Sequence, residues 1–181
     1  MEHAGGGTLV SETDFYAAGR YLQNQMARLG PENLGRQSGC EHWDEQQLVN
    51  HVAQVATAIG DTAGGQRFSV SEHAETIAST PAEASAAVQR ALELLDSGPL
   101  RAMSSIEFTA HAWDIGIGLD PDHRIPGELA ESILVLARKM LTDDSRGSHF
   151  APRQQARHGA NASEQLIAFL GRLPKTTAAN P

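Results

Sequence analysis

The chain has one cysteine, Cys40, so no internal disulfide can form, and a lone thiol fits a reducing, cytoplasmic setting. Basic residues are scarce: 14 Lys and Arg stand against 22 Asp and Glu, a net charge of -8. That balance argues against nucleic acid or an anionic membrane as a partner. There is no apolar run of membrane-spanning length and no basic-then-apolar leader at the start. Aromatics make up only 5% of the chain, and no segment alternates with period two for long enough to read as a strand. Nucleophile elbows, paired-cysteine metal motifs and dinucleotide fingerprints are absent. Gly5-Gly6-Gly7 is no phosphate loop, because no strand precedes it and no Gly-Lys-Ser/Thr follows.

What is present is helical periodicity. The 181 residues suffice for one domain with a full core, expected over 11–174, with flexible ends at 1–10 and 175–181. Ser11 and Asp14 resemble a capping box, followed by an apolar face of Phe15, Ala18, Leu22, Met26 and Leu29 that ends at Gly30-Pro31. Asp44 and Gln47 cap a second helix with Leu48, Val52, Val55 and Ile59 inside. Residues 60–80 read as a long loop that could form a lid or pocket wall, with room for a short helix. Thr80-Pro81 with Glu83 opens a third helix, and Ser97-Gly98-Pro99 breaks it. A fourth helix spans about 100–118, a fifth begins at Pro126, and a short last one starts at Ser163-Glu164. The expected fold is an all-α, up-and-down four-helix bundle with extra short helices.

The fourth helix carries the chemistry. Glu107 and His111 are four residues apart and share a face, beside an apolar stripe of Ile106, Ala110, Trp113 and Ile117. A carboxylate and an imidazole beside a buried stripe need a partner, and a metal ion supplies one for both. His51 lies three residues after Leu48 and four before Val55, on or beside the buried face of the second helix, and is the candidate third ligand. Two imidazoles and one carboxylate suit Zn²⁺, and also Ni²⁺ or Fe²⁺, with a position left open for substrate. The competing reading is a satisfied hydrogen-bond cluster in the core. Asp114, three residues after His111, is the candidate catalytic residue, acting on a ligand from behind; an ordinary helix hydrogen bond is the alternative. Cys40 precedes a helix N-terminus, which lowers a thiol pKa, although small buried packing is the preferred reading. His42 is either surface or pocket wall, and His3, His73, His123, His149 and His158 are expected in solvent.

Three segments then show a family resemblance. Residues 40–52, with Cys40, Trp43, Leu48 and His51, resemble the C-x-x-W-x-V-x-x-L-x-x-H entry helix of the mycothiol-dependent maleylpyruvate isomerase N-terminal family, within the DinB/YfiT-like metal-binding superfamily. Glu107, His111, Trp113 and Asp114 resemble its E-x-x-x-H-x-W-D helix. Phe150 and Pro152, then Leu166 to Pro174 with Gly171-Arg172, resemble its closing F-x-P and L-L-A-x-L-G-R-x-P segments. The resemblance implies a DinB-like bundle and a metal, usually zinc, at His51, Glu107 and His111. It also implies a small thiol such as mycothiol at the open position. Gln46 departs from the apolar or basic residue common there. The isomerases carry a further C-terminal domain that this chain ends without. The function expected is therefore a thiol-transferase or isomerase-like enzyme acting on a small electrophile, with residues 60–80 shaping the pocket. A metal-bound-water hydrolase, a biosynthetic enzyme acting on a reactive natural product and a non-catalytic metal or small-ligand binder are the alternatives. A small molecule is the expected partner, and a homodimer is left open.

Overall fold

The computed structural model describes residues 11–96, 98–144, 146 and 150–173. The expected flexible segments 1–10 and 175–181 lie outside the described residues, as do His3 and His149. Six helices follow in order: α1 (Glu12–Met26), α2 (Glu45–Ala63), α3 (Pro81–Leu94), α4 (Pro99–Leu119), α5 (Gly127–Met140) and α6 (Ala162–Phe169). No strand occurs among the described residues; an isolated bridge joins Gln37 to Asp44. The fold is an all-α bundle. No described helix is long and apolar enough to cross a membrane.

The helix starts follow from side chains that satisfy the free N–H groups of a first turn. Asp44 with Gln47 and Thr80 with Glu83 form complete capping boxes. Ser11 accepts from the Asp14 N–H, but its hydroxyl, not its backbone, meets the Asp14 carboxylate. Three expected boundaries move, the first at α1, which ends at Met26 with Ala27 as its C-cap, short of Gly30-Pro31. Helix α2 continues past Gly60 to Ala63, because Ala58, Ile59 and Gly60 are buried and Thr62 returns its hydroxyl to the Ala58 carbonyl. The cap of α6 is Asn161, which forms the box with Glu164; Ser163 instead accepts from the Ile125 N–H at 3.0 Å. The long loop after α2 holds a single 3-10 turn, Ala74–Thr76.

Helices α1, α4, α2 and α3 pack in a closed ring, each against the next, while α5 lies on α4 and α1 and carries α6. The core runs from Phe15 and Leu22 through Leu48, Val88, Phe108 and Ile133 to Leu170. Each such buried side chain contributes about 1.5–3 kcal/mol. Helix α4 is central and buried on nearly every side. Its polar residues tolerate this because Ser104, Ser105 and Thr109 return their hydroxyls to the carbonyls four residues back. The helix that bears Glu107, His111 and Asp114 is thereby held from all sides.

Candidate metal centre

His111 is the hub. Its side chain is 9% exposed, and its two ring nitrogens face different carboxylates. Nδ1 lies 3.2 Å from Asp114 Oδ2, and Nε2 lies 3.3 Å from Glu107 Oε2. The Nδ1 contact is a hydrogen bond, whereas Nε2 is buried with no hydrogen-bond partner. An ionised carboxylate only accepts, so Asp114 makes Nδ1 a donor; Nε2 is the ligating position, whose lone pair a metal would take by displacing the proton held toward Glu107. The His51 ring meets the His111 ring edge-on at 5.1 Å between centroids, and packs against Trp43 at 4.9 Å.

Asp114 is fully buried and heavily engaged. Arg172 grips it through Nε to Oδ1 at 2.7 Å and Nη2 to Oδ2 at 2.6 Å. The Cys40 thiol donates to Oδ2 at 3.1 Å. Burial opposes the charge on Asp114, but Arg172 and then His111 hold its pKa well below the ordinary carboxylate range. Burial likewise works against charge on Glu107, yet its contact with His111, together with Arg172 and His51, holds it low. For His111 itself burial is outweighed by Asp114, Cys40 and Glu107, which raise its pKa well above the ordinary value. Two carboxylates thus converge on one imidazole, a setting that favours a cation.

The loop ahead of α2 closes over this group. Gly39 donates its N–H to the Asp114 carbonyl at 2.7 Å. A side chain at Gly39 would stand 2.7 Å from the Asp114 Cα, so only glycine permits the approach. This places Cys40 against α4. Burial, followed by the Asp114 charge, raises the Cys40 pKa, so the helix N-terminus does not make it a reactive thiolate. Arg172 arrives from the turn after α6, where Gly171 at φ 84 packs on the Ala151 carbonyl. His42 is exposed, also with positive φ, on the rim of the cavity. His73 and His158 are exposed as expected, but His123 is not in open solvent. It hydrogen-bonds the Tyr21 hydroxyl at 2.6 Å and stacks on that ring.

Two cavities meet at the centre. The larger, about 820 Å³, is lined by Cys40, Trp43, His111, Gln154 and Arg172, and opens to solvent. The smaller, about 300 Å³, is mostly apolar, with Val55, Ile59, Phe68, Val70 and Met103. His51 and Glu107 line both. Phe68 and Val70 come from the long loop, which does form a pocket wall.

Cys40, His111 and Asp114 form a cluster whose potential ligand atoms lie within 4.8 Å of one another, and it could hold a metal ion. It uses the Nδ1 side of His111, where Arg172 already neutralises Asp114 and the thiol keeps its proton. The Nε2 side, facing Glu107 and next to His51, carries no such competitor at His111. Arg172 and Gly39 were not among the candidates of the sequence reading. Arg172 lies within the closing segment, Leu166 to Pro174, on which the sequence expectation of a family resemblance partly rests, but that expectation assigns it no partner. Compared with family models, curated proteins and solved structures, the chain has no significant match.

Proposed function

We propose that the chain is a divalent-metal-dependent enzyme that activates a small thiol of the mycothiol type for transfer to a small electrophile. The metal site is His51, Glu107 and His111, with zinc the preferred ion and nickel or iron compatible with the donors. The observation that carries the reading is the buried Nε2 of His111, which makes no hydrogen bond and lies 3.3 Å from Glu107 Oε2, beside His51, where two cavities share a wall. The three-segment likeness to the mycothiol-dependent isomerase family supports the same three ligands.

A divalent ion bound there would hold a thiol deprotonated and nucleophilic at neutral pH. The rest is done by the chain. Asp114 fixes the ring of His111, and Arg172 and Cys40 fix Asp114. Trp43 seats the His51 ring. The wider cavity, the more polar of the two, suits the hydrophilic body of a thiol cosubstrate, and the apolar cavity shields the electrophile from water.

A second reading, a non-catalytic metal binder, is favoured by the compactness of the Cys40, His111 and Asp114 cluster. One experiment separates the two. The cobalt-loaded protein is titrated with mycothiol at pH 7 in wild type and Cys40→Ser. A thiolate-to-cobalt absorption band that appears with the thiol in both supports the enzyme reading. No band in either, or turnover of an electrophile with no thiol present, overturns it.

A further inference from the structure

A residue on the wall of the apolar cavity carries two buried donors that neither the helix packing nor the thiol chemistry satisfies. Arg146 is only 4% exposed and lines this cavity with Leu141 and Phe150. Its guanidinium lies over the Phe169 ring, 4.7 Å from the centroid, and Nη1 donates to the Ala151 carbonyl at 3.3 Å. Nε and Nη2 are buried and have no hydrogen-bond partner.

The nearest carboxylate does not repair this. Asp143 is mostly exposed, takes two hydrogen bonds from Arg153 at 2.9 and 2.6 Å, and stays 3.6 Å from Arg146 Nε. Two guanidiniums share one carboxylate, and among the described residues no ion pair joins Arg146 to Glu107 on the same cavity wall. Nε and Nη2 form one edge of the guanidinium, the fork that binds a carboxylate with two parallel hydrogen bonds. Among the described residues this same edge is used three times elsewhere, Arg172 on Asp114, Arg153 on Asp143 and Arg157 on Glu164. In Arg146 the edge is buried and makes no hydrogen bond, with Asp143 at 3.6 Å its one carboxylate neighbour among the described residues.

We infer that the apolar cavity takes a substrate with a hydrocarbon body and a single carboxylate, which Nε and Nη2 of Arg146 bind as a fork. The body lies against Val55, Ile59, Phe68 and Val70, and the reacting carbon faces His51 and Glu107, a placement that rests on the proposed metal site. The volume of about 300 Å³ equals roughly ten water volumes, at about 30 Å³ each, so the ligand is of medium chain length.

The test uses the full chain, with and without zinc, titrated calorimetrically with octanoate and with its neutral counterpart octanamide. Octanoate is expected to bind at least tenfold more tightly, with zinc or without it. Arg146→Gln is expected to erase that preference while binding octanamide as wild type does, which also reports that it folds. If the variant does not fold, the wild-type comparison decides alone. Equal affinities in wild type, a preference that survives Arg146→Gln, or one that appears only with zinc overturns the inference. A protein that binds no zinc yet keeps the preference loses the proposed metal site and retains this one.

Discussion

Arg172 and Asp114 are 58 residues apart in the chain, yet they meet through two parallel hydrogen bonds at 2.7 and 2.6 Å. The pair ties the turn after α6 to the middle of α4. It also supplies the positive charge that lets a fully buried carboxylate stand behind His111. Removing one member of a buried pair leaves the other charge uncompensated, at a cost of about 3–5 kcal/mol. Arg172→Gln is therefore expected to lower stability by about that amount in urea denaturation at pH 7. A loss under about 1 kcal/mol, at the level of a surface pair, would show that the pair carries no such burden.

Asp114→Asn tests the layer behind the ligand. An amide in place of the carboxylate removes the charge that holds His111 in one tautomer. Zinc affinity, read by competition with a chromophoric chelator, is expected to fall about 10–100-fold. The variant should keep its helical circular dichroism, because the shape of the side chain is preserved. Unchanged zinc affinity would mean that Asp114 does not orient a ligand.

Glu45 sets the expected pH dependence of stability. It is 0% exposed, neither carboxylate oxygen has a hydrogen-bond partner, and burial followed by the Asp114 charge pushes its pKa up to about 8. In the unfolded chain the group titrates near its ordinary value of about 4.3. Between those two values the folded protein holds a proton that the unfolded chain has released. Through this group stability therefore falls as pH rises from about 4.3 to about 8, by a few kcal/mol in all, and levels off above that. Urea denaturation at pH 5.5 and 8 measures the slope, and Glu45→Gln should reduce it, leaving the part that His111, whose pKa is also raised, contributes above about 6.5. An equally steep slope in the variant would place its origin elsewhere.

Cys40 should be slow to react. Its thiol donates to Asp114, and burial and that neighbouring charge raise its pKa. Labelling by an aromatic disulfide at pH 8 is expected to be at least tenfold slower in the folded protein than in urea, since the thiolate is the attacking species. Comparable rates would restore the reactive-thiol reading.

What could be read in the sequence was local. Asp44 with Gln47 and Thr80 with Glu83 mark helix starts because the cap and its partner are three residues apart. Glu107 and His111 are visible as a pair because one helical turn joins them. Gly60 misleads, since burial of its neighbours outweighs its weak helix propensity. Ser163 misleads because a distant N–H, that of Ile125, takes its hydroxyl. The environment of the centre was hidden for the same reason. Cys40 and Arg172 reach Asp114 across 74 and 58 residues, and no periodicity encodes such contacts. Arg146 lies over the Phe169 ring, a contact across 23 residues that no periodicity encodes either.

The central claim is that His51, Glu107 and His111 hold one divalent ion. Metal content by mass spectrometry on the full chain, after zinc loading and desalting, tests it most directly. Wild type and Cys40→Ser are expected to retain one zinc per chain, and His51→Ala and Glu107→Gln to retain almost none. A full equivalent in His51→Ala, with zinc lost from Cys40→Ser, would contradict the account and place the ion on Cys40, His111 and Asp114.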